Sequence, residues 1–183
     1  MSKTLYLDVD EVVLNSIQAM CEMLNKLFDR DLTEKDIHTW NFEEYGDIGS
    51  DFVEAMFDLP LFFETVRFNP SIFPLLTKAI YHGYNVVFVT KGGERNRKMK
   101  ERFIHDYLGG FLDYEYEFIG MDINTSKSIV DMSDGVFIDD NENNLFESNA
   151  KRKILCVNNP NSNWNSKWSG ERWDKNKLHA LDI

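Results

Sequence analysis

An α/β fold, a parallel sheet with helices on both faces, is predicted by three observations. Short apolar runs alternate with stretches of helical periodicity along most of the chain. The central runs, such as Val86-Val87-Phe88-Val89, are continuous rather than alternating, as in strands buried on both sides. Several runs end in residues that can do chemistry: Leu5–Leu7 in Asp8, Val86–Val89 in Thr90, Val136–Ile138 in Asp139 and Asp140. Ligands of open parallel sheets collect at the carboxyl ends of strands. Independent solvated turns would have no reason to share that edge.

The first strand runs from Thr4 to Leu7 and closes in Asp8-Val9-Asp10-Glu11-Val12-Val13. Side chains two apart on a strand point the same way, so Asp8 and Asp10 can serve one site. Ile17, Met20, Cys21, Leu24 and Leu27 then fall at helical spacing, with Asn15 or Ser16 as the cap. Residues 29–50 are acidic and irregular, with Trp40, Phe42 and Tyr45 among them. A short helix starts at Ser50 or Asp51, runs through Phe57 and is ended by Pro60. Residues 15–69 carry no strand signal and read as a small helical insert.

Helix resumes from Pro74 to Tyr81 and stops at Gly83. The strand Asn85–Thr90 leads through Lys91-Gly92-Gly93 into a helix from Glu94 to Leu108, stopped by Gly109-Gly110. A strand, a glycine turn and a helix N-terminus make an anion site, because free N–H groups point outward there. Tyr116–Ile119 and Val136–Ile138 are expected strands, Asn143–Ala150 a helix, and Lys153–Val157 the last strand. The segment from Asn158 to Gly170 reads as a docked surface loop.

Composition narrows the function. The chain has 183 residues, 43% of them hydrophobic and 14% aromatic, enough for one large domain or a domain with a small insert. A net charge of −11 opposes binding to a nucleic-acid backbone, and a phosphate site must supply its positive charge locally. No long apolar run suggests a signal peptide or a membrane span. Cys21 and Cys156 read as free thiols of a reducing, cytoplasmic compartment. There is no internal repeat, and the four His residues lack metal spacing.

The strand-end residues assemble into a mechanism. Asp8, Asp139 and Asp140 are hard oxygen ligands suited to Mg²⁺, and such crowded carboxylates repel unless a cation sits among them. Thr90, with the amides of Lys91 and Gly92, can hold phosphate oxygens. Lys127, the single lysine between Arg102 and Ala150, can neutralise a transferring phosphoryl group. The basic run Lys91, Arg95, Arg97, Lys98, Lys100 and Arg102 reads as a solvated helix face, with Lys91 alone near the site.

In their order and strand-end placement, Asp8-Val9-Asp10-Glu11-Val12-Val13, Thr90, Lys127 and Asp139-Asp140 resemble the four motifs of haloacid-dehalogenase-type phosphatases. Within that superfamily the chain is most similar to the 5′(3′)-deoxyribonucleotidases, through Leu59-Pro60-Leu61-Phe62-Phe63, Pro70, Pro160-Asn161 and Arg172-Trp173. Glu11 departs from the Gly of many members. The resemblance implies a Rossmann-like core over residues 1–14 and 70–183, and a helical cap over 15–69. It implies that Asp8 is phosphorylated, that Asp10 is acid and base, and that Thr90 and Lys127 hold the phosphoryl group. Lys91, Gly92, Phe62 and Phe63 would meet the substrate, and Asp8, Asp10, Asp139 and Asp140 would hold Mg²⁺. The expected substrate is a nucleoside monophosphate, deoxyribonucleoside forms foremost; no nucleic-acid polymer and no membrane is expected as a partner, and a homodimer is admitted. The alternatives are another small phosphomonoester, a nucleic-acid 3′-phosphate end, or a nucleotide-binding module without turnover.

Overall fold

The computed structural model describes residues 3–46, 49–109, 115–160 and 162–183. Six strands form one sheet: β1 (Lys3–Asp8), β2 (Tyr84–Lys91), β3 (Glu117–Met121), β4 (Gly135–Asp139), β5 (Arg152–Val157) and β6 (Glu171–Asp174). Their order is β3-β2-β1-β4-β5-β6, and every pair is parallel. The order reverses between β1 and β4, which opens a crevice outside the carboxyl ends of those two strands. Asp8 ends β1 and Asp139 ends β4, so the acidic residues flank that crevice.

Side chains alternate between two cores, as the strand period requires. Leu5, Leu7, Val86, Phe88, Val136 and Ile138 face one core, with α1 (Ser16–Phe28), and residues of α5 (Ile72–Tyr81) and α6 (Glu94–Leu108). Tyr6, Val87, Val89, Phe137 and Leu155 face the other, which includes Leu145 of α7 (Glu142–Glu147). Gly135 is required where β4 starts beside β1, because a Cβ there would lie 2.2 Å from the Thr4 carbonyl oxygen. Both cysteines are free and buried.

Between α1 and α5 lie a 3₁₀ turn (Glu34–Asp36), α2 (Glu43–Gly46), α3 (Ser50–Phe57) and α4 (Pro60–Thr65). The two ends of this segment run side by side: the Asn15 N–H donates to the Arg67 carbonyl at 2.9 Å, and that of Asn69 to Val13 at 2.8 Å. Pro60 does more than end α3. It occupies the first turn of α4, where its missing N–H has no helical partner to lose. The next helix starts two residues before Pro74, which the first turn tolerates for the same reason.

Three expectations are corrected. Lys153–Val157 is not in the last strand, because β6 adds a parallel edge beyond it. Glu171-Arg172-Trp173-Asp174 lacks a buried apolar run, and an edge strand needs none. It is tied to β5 by the paired contacts of Arg152 with Glu171, at 2.8 and 2.7 Å. The helix expected over Asn143–Ala150 spans Glu142–Glu147 instead. Asn149 leaves it to accept from the Met132 N–H and donate to Asp131. The expected strand Tyr116–Ile119 is shifted to Glu117–Met121, in register with Val87–Lys91 of β2. Gly110 lies outside the described residues.

Candidate active site

The end of β1 places Asp8 in the crevice, and a tight loop follows it. Val13 and Leu14 donate their N–H groups to the Val9 carbonyl, and Glu11 donates to Leu14. Glu11 has a left-handed backbone, φ 59°, where a residue without a Cβ would be unstrained. Its carboxylate is fully buried and accepts from the Ile17 N–H at 2.5 Å, from the Asn158 amide, and from Lys175. That network holds the loop that carries Asp10.

Asp8, Asp139 and Asp140 come together as the sequence expects. Each offers an oxygen within 4.8 Å of the others, and all three are buried. Lys127, from the turn Lys127–Ile129, reaches between them, with its ammonium 2.5 Å from Asp8 Oδ1 and 2.7 Å from Asp139 Oδ2. The Phe137 ring lies 5.6 Å from the same ammonium. Asp139 is also engaged by the Asn141 N–H at 2.8 Å and by the Asn144 amide at 3.1 Å to each oxygen. Among the described residues, Asp8 Oδ2 and Asp140 Oδ1 receive no hydrogen bond.

The donor set fits a divalent cation. Three carboxylates against one ammonium leave two uncompensated charges, and two oxygens of these buried residues have no donor among the described residues. Hard oxygen donors of this kind suit Mg²⁺. Asp10 stands outside that cluster. Its Oδ1 accepts from Ser16 at 2.7 Å and its Oδ2 from Lys100 at 2.5 Å. Both Asp10 side-chain oxygens thus have protein partners.

Lys100 corrects the reading of the basic run. It is buried at 2% exposure, paired with Asp10, and 3.3 Å from Thr90 Oγ1. The signal was present: Leu108 and Ile104, stepped back by four, lead to Lys100 and Asn96, the buried face of α6. Asn96 donates to the Phe57 carbonyl at 2.8 Å, and a Cβ on Gly92 would lie 2.6 Å from its Oδ1, so this turn needs glycine.

A cavity of about 460 Å³ opens onto these groups. Asp8, Asp10, Lys91, Gly92, Lys100, Lys127 and Asp140 line it, and so do Trp40, Phe42 and Phe57. Thr90 and Asp139 are fully buried and do not line it. Nor do Phe62 and Phe63, expected to face the substrate. Phe62 is wholly buried between Phe57 and Phe63, with ring centroids 5.2 and 5.1 Å away, and Phe63 packs on Phe103. α4 turns these rings into the core, so the aromatic wall comes from upstream residues.

Burial raises two acids of the site. Asp8 is pushed up to about 7, first by desolvation and then by Asp139 and Asp10, against the opposing pull of Lys127. Asp140 is raised well above the ordinary carboxylate range, again mainly by burial, with the charges of Asp8 and Asp139 adding to it. At these two acids the native state holds more protons than the unfolded chain between about pH 4 and 7, and their contribution to stability falls as pH rises through that window. Without divalent ions the melting temperature should drop by several degrees from pH 4.5 to 7.5, at about 1.4 kcal/mol per pKa unit and roughly 2–4 °C per kcal/mol at this size. Saturating Mg²⁺ should cancel most of the drop. A flat or rising apo profile would contradict the crowded-carboxylate picture.

Solved structures share the architecture. One is a predicted phosphatase from Clostridium acetobutylicum, with TM-score 0.62 and 13% identity, covering 98% of this chain and 97% of that one. A haloacid-dehalogenase phosphatase from Thermococcus onnurineus has TM-score 0.57 and 16% identity, covering 97% and 96%. CbbY from Rhodobacter sphaeroides, in complex with phosphate, has the same score, identity and coverage. At these identities the likeness shows the fold. No curated protein matches the sequence.

A parallel sheet with this strand order, carrying Asp8-Val9-Asp10 and Asp139-Asp140 at its switch point, defines a haloacid-dehalogenase-like phosphatase. Residues 2–179 match the family described as 5′ nucleotidase, deoxy (pyrimidine), cytosolic type C protein, and the chain belongs to that family. It is thus a phosphatase of the 5′-nucleotidase type. No helix among the described residues is long and apolar enough to cross a membrane.

Proposed function

We propose that the protein is a Mg²⁺-dependent phosphomonoesterase that hydrolyses nucleoside monophosphates, deoxyribonucleotides foremost, through an aspartyl phosphate. The observation that carries this reading is the cavity itself, with the Asp8–Lys127–Asp140 cluster and an aromatic wall of Trp40, Phe42 and Phe57 on one continuous surface. Aromatic rings suit a base, and the cluster suits a phosphate ester. Residues 15–69 act as the cap, a role supported by their adjoining ends and by the wall they supply.

Asp8 attacks phosphorus, and the bond to the nucleoside oxygen breaks as Asp10 gives that oxygen its proton. A water then attacks the phosphorus of the acyl phosphate. Asp10 takes the proton of that water, phosphate leaves, and Asp8 is restored. Lys127 and the Lys91–Gly92 amides neutralise and orient the phosphoryl oxygens. Thr90, behind them, offers a hydroxyl. Lys100 and Ser16 fix both oxygens of Asp10 for its two proton transfers. Asp8 and Asp140 would hold Mg²⁺, with Asp139 behind them. The ion would supply charge neutralisation at the phosphoryl group.

The test is a panel of 5′- and 3′-nucleoside monophosphates in ribo and deoxy forms, sugar phosphates, an aryl phosphate and a 3′-phosphorylated oligonucleotide. Deoxyribonucleoside monophosphates should show the highest kcat/KM. Chelator should abolish turnover, Mg²⁺ should restore it, and Ca²⁺ should restore it poorly because its looser coordination misplaces the attack. Equal use of sugar phosphates would overturn the nucleotide assignment. Full activity in chelator would overturn the metal.

A further inference from the structure

We propose that Trp164 is a positioning residue for the cation site: its indole N–H orients the Asp140 carboxylate from outside the cavity. This rests on the metal-dependent reading above and adds a residue from the loop after β5, which the four motifs do not reach.

Trp164 is buried, and its Nε1 donates to Asp140 Oδ2 at 3.0 Å. The contrast between the two adjacent acids is informative. Asp139 is held by Asn141, Asn144 and Lys127. Among the described residues Asp140 has one donor, and that donor is Trp164. With Oδ2 engaged by the indole, Oδ1 is the oxygen presented to a ligand. Removing the N–H would leave the carboxylate free to rotate and its charge less compensated.

The segment that carries the indole is itself held at three points. The Trp164 carbonyl accepts from the Glu142 N–H at 3.0 Å, at the start of α7. The preceding residue, Asn163, donates its N–H to the His38 carbonyl at 2.9 Å. The ring lies 5.6 Å from that of Trp40, which lines the cavity. The Glu142 carboxylate, in turn, accepts from the N–H groups of Lys167 and Trp168 and ties down the rest of the loop.

Trp164→Phe keeps a ring against Trp40 and removes the donor. Calorimetric titration with Mg²⁺ alone should show a dissociation constant about 10–100-fold higher than in the unsubstituted protein, the usual loss for an outer-shell partner. The Mg²⁺ concentration that half-saturates turnover should rise in parallel. Equal Mg²⁺ affinity in a variant folded by circular dichroism overturns the proposal and leaves the metal reading standing. An unsubstituted protein that binds no Mg²⁺ overturns both. A second measurement does not need that variant to fold. The chain has four tryptophans, so its spectrum has four indole N–H signals. The Trp164 signal, identified by replacing Trp40, Trp168 and Trp173 by Phe in turn, should shift on adding Mg²⁺. No shift there overturns the proposal.

Discussion

Asp8→Asn should lower turnover by at least about four orders of magnitude, the scale on which single nucleophile losses are felt. The amide is nearly isosteric with the carboxylate and can still accept from Lys127, now 2.5 Å from Oδ1. What it loses is the nucleophilic oxygen, so no aspartyl phosphate forms. The same change removes one of three buried carboxylates that crowd around a single ammonium. Without Mg²⁺ the variant should therefore melt higher than the unsubstituted protein at pH 7.5, where Asp8 is ionised against the opposition of burial. The two signs distinguish this account from simple misfolding, which would lower both quantities. Activity within tenfold of normal would refute Asp8 as the nucleophile. A lower apo melting temperature would refute the repulsion argument.

The sequence shows most clearly what is buried on both faces. β1, β2 and β4 are continuous apolar runs, and the structure finds them in the centre of the sheet with Asp8, Thr90 and Asp139 near their ends. The bounds of α6 are also readable, since Gly93 and Gly109 flank it. β6 is not readable, because an edge strand needs no apolar run and Glu171-Arg172-Trp173-Asp174 has none. Lys100 was hidden by its neighbours: Arg95, Arg97 and Lys98 made one solvated face of what are two faces of a helix, and only the spacing from Ile104 separates them.

The aromatic wall fails to read for another reason. Trp40, Phe42, Phe57, Phe62 and Phe63 have the same composition signal, and the turn between α3 and α4 separates Phe57, which meets the cavity, from Phe62 and Phe63, which do not. Trp164 lies further still from any local signal. Its partner Asp140 is 24 positions away, in a loop whose composition suggests only surface.

Lys175→Met should be strongly destabilising although it lies outside the reaction centre. Lys175 follows β6 at the head of a 3₁₀ turn, far in sequence from the groups it joins. Its ammonium lies 2.6 Å from Glu34 and 3.4 Å from Glu11. Glu34 is partly exposed and can turn to water, but Glu11 is fully buried and cannot. Removing the lysine leaves the Glu11 carboxylate with hydrogen bonds and no ion pair among the described residues. Breaking a buried pair in this way costs about 3–5 kcal/mol, because the remaining charge stays desolvated. Burial already raises the Glu11 carboxyl, and Lys175 is the main influence that lowers it. The variant should therefore raise it further, and Glu11 should take up a proton as pH falls. A raised acid binds more protons folded than unfolded, so the deficit should be largest near pH 8 and shrink toward pH 5. Urea melts at both pH values measure it. Glu11→Gln in the Lys175→Met background removes the orphaned charge and keeps the bond from Ile17, so it should recover more than half of the loss at pH 8. A single variant within 1 kcal/mol of the unsubstituted protein at pH 8, or a double variant no more stable than the single, would show that this buried pair does not hold the Asp10 loop to the carboxyl-terminal segment.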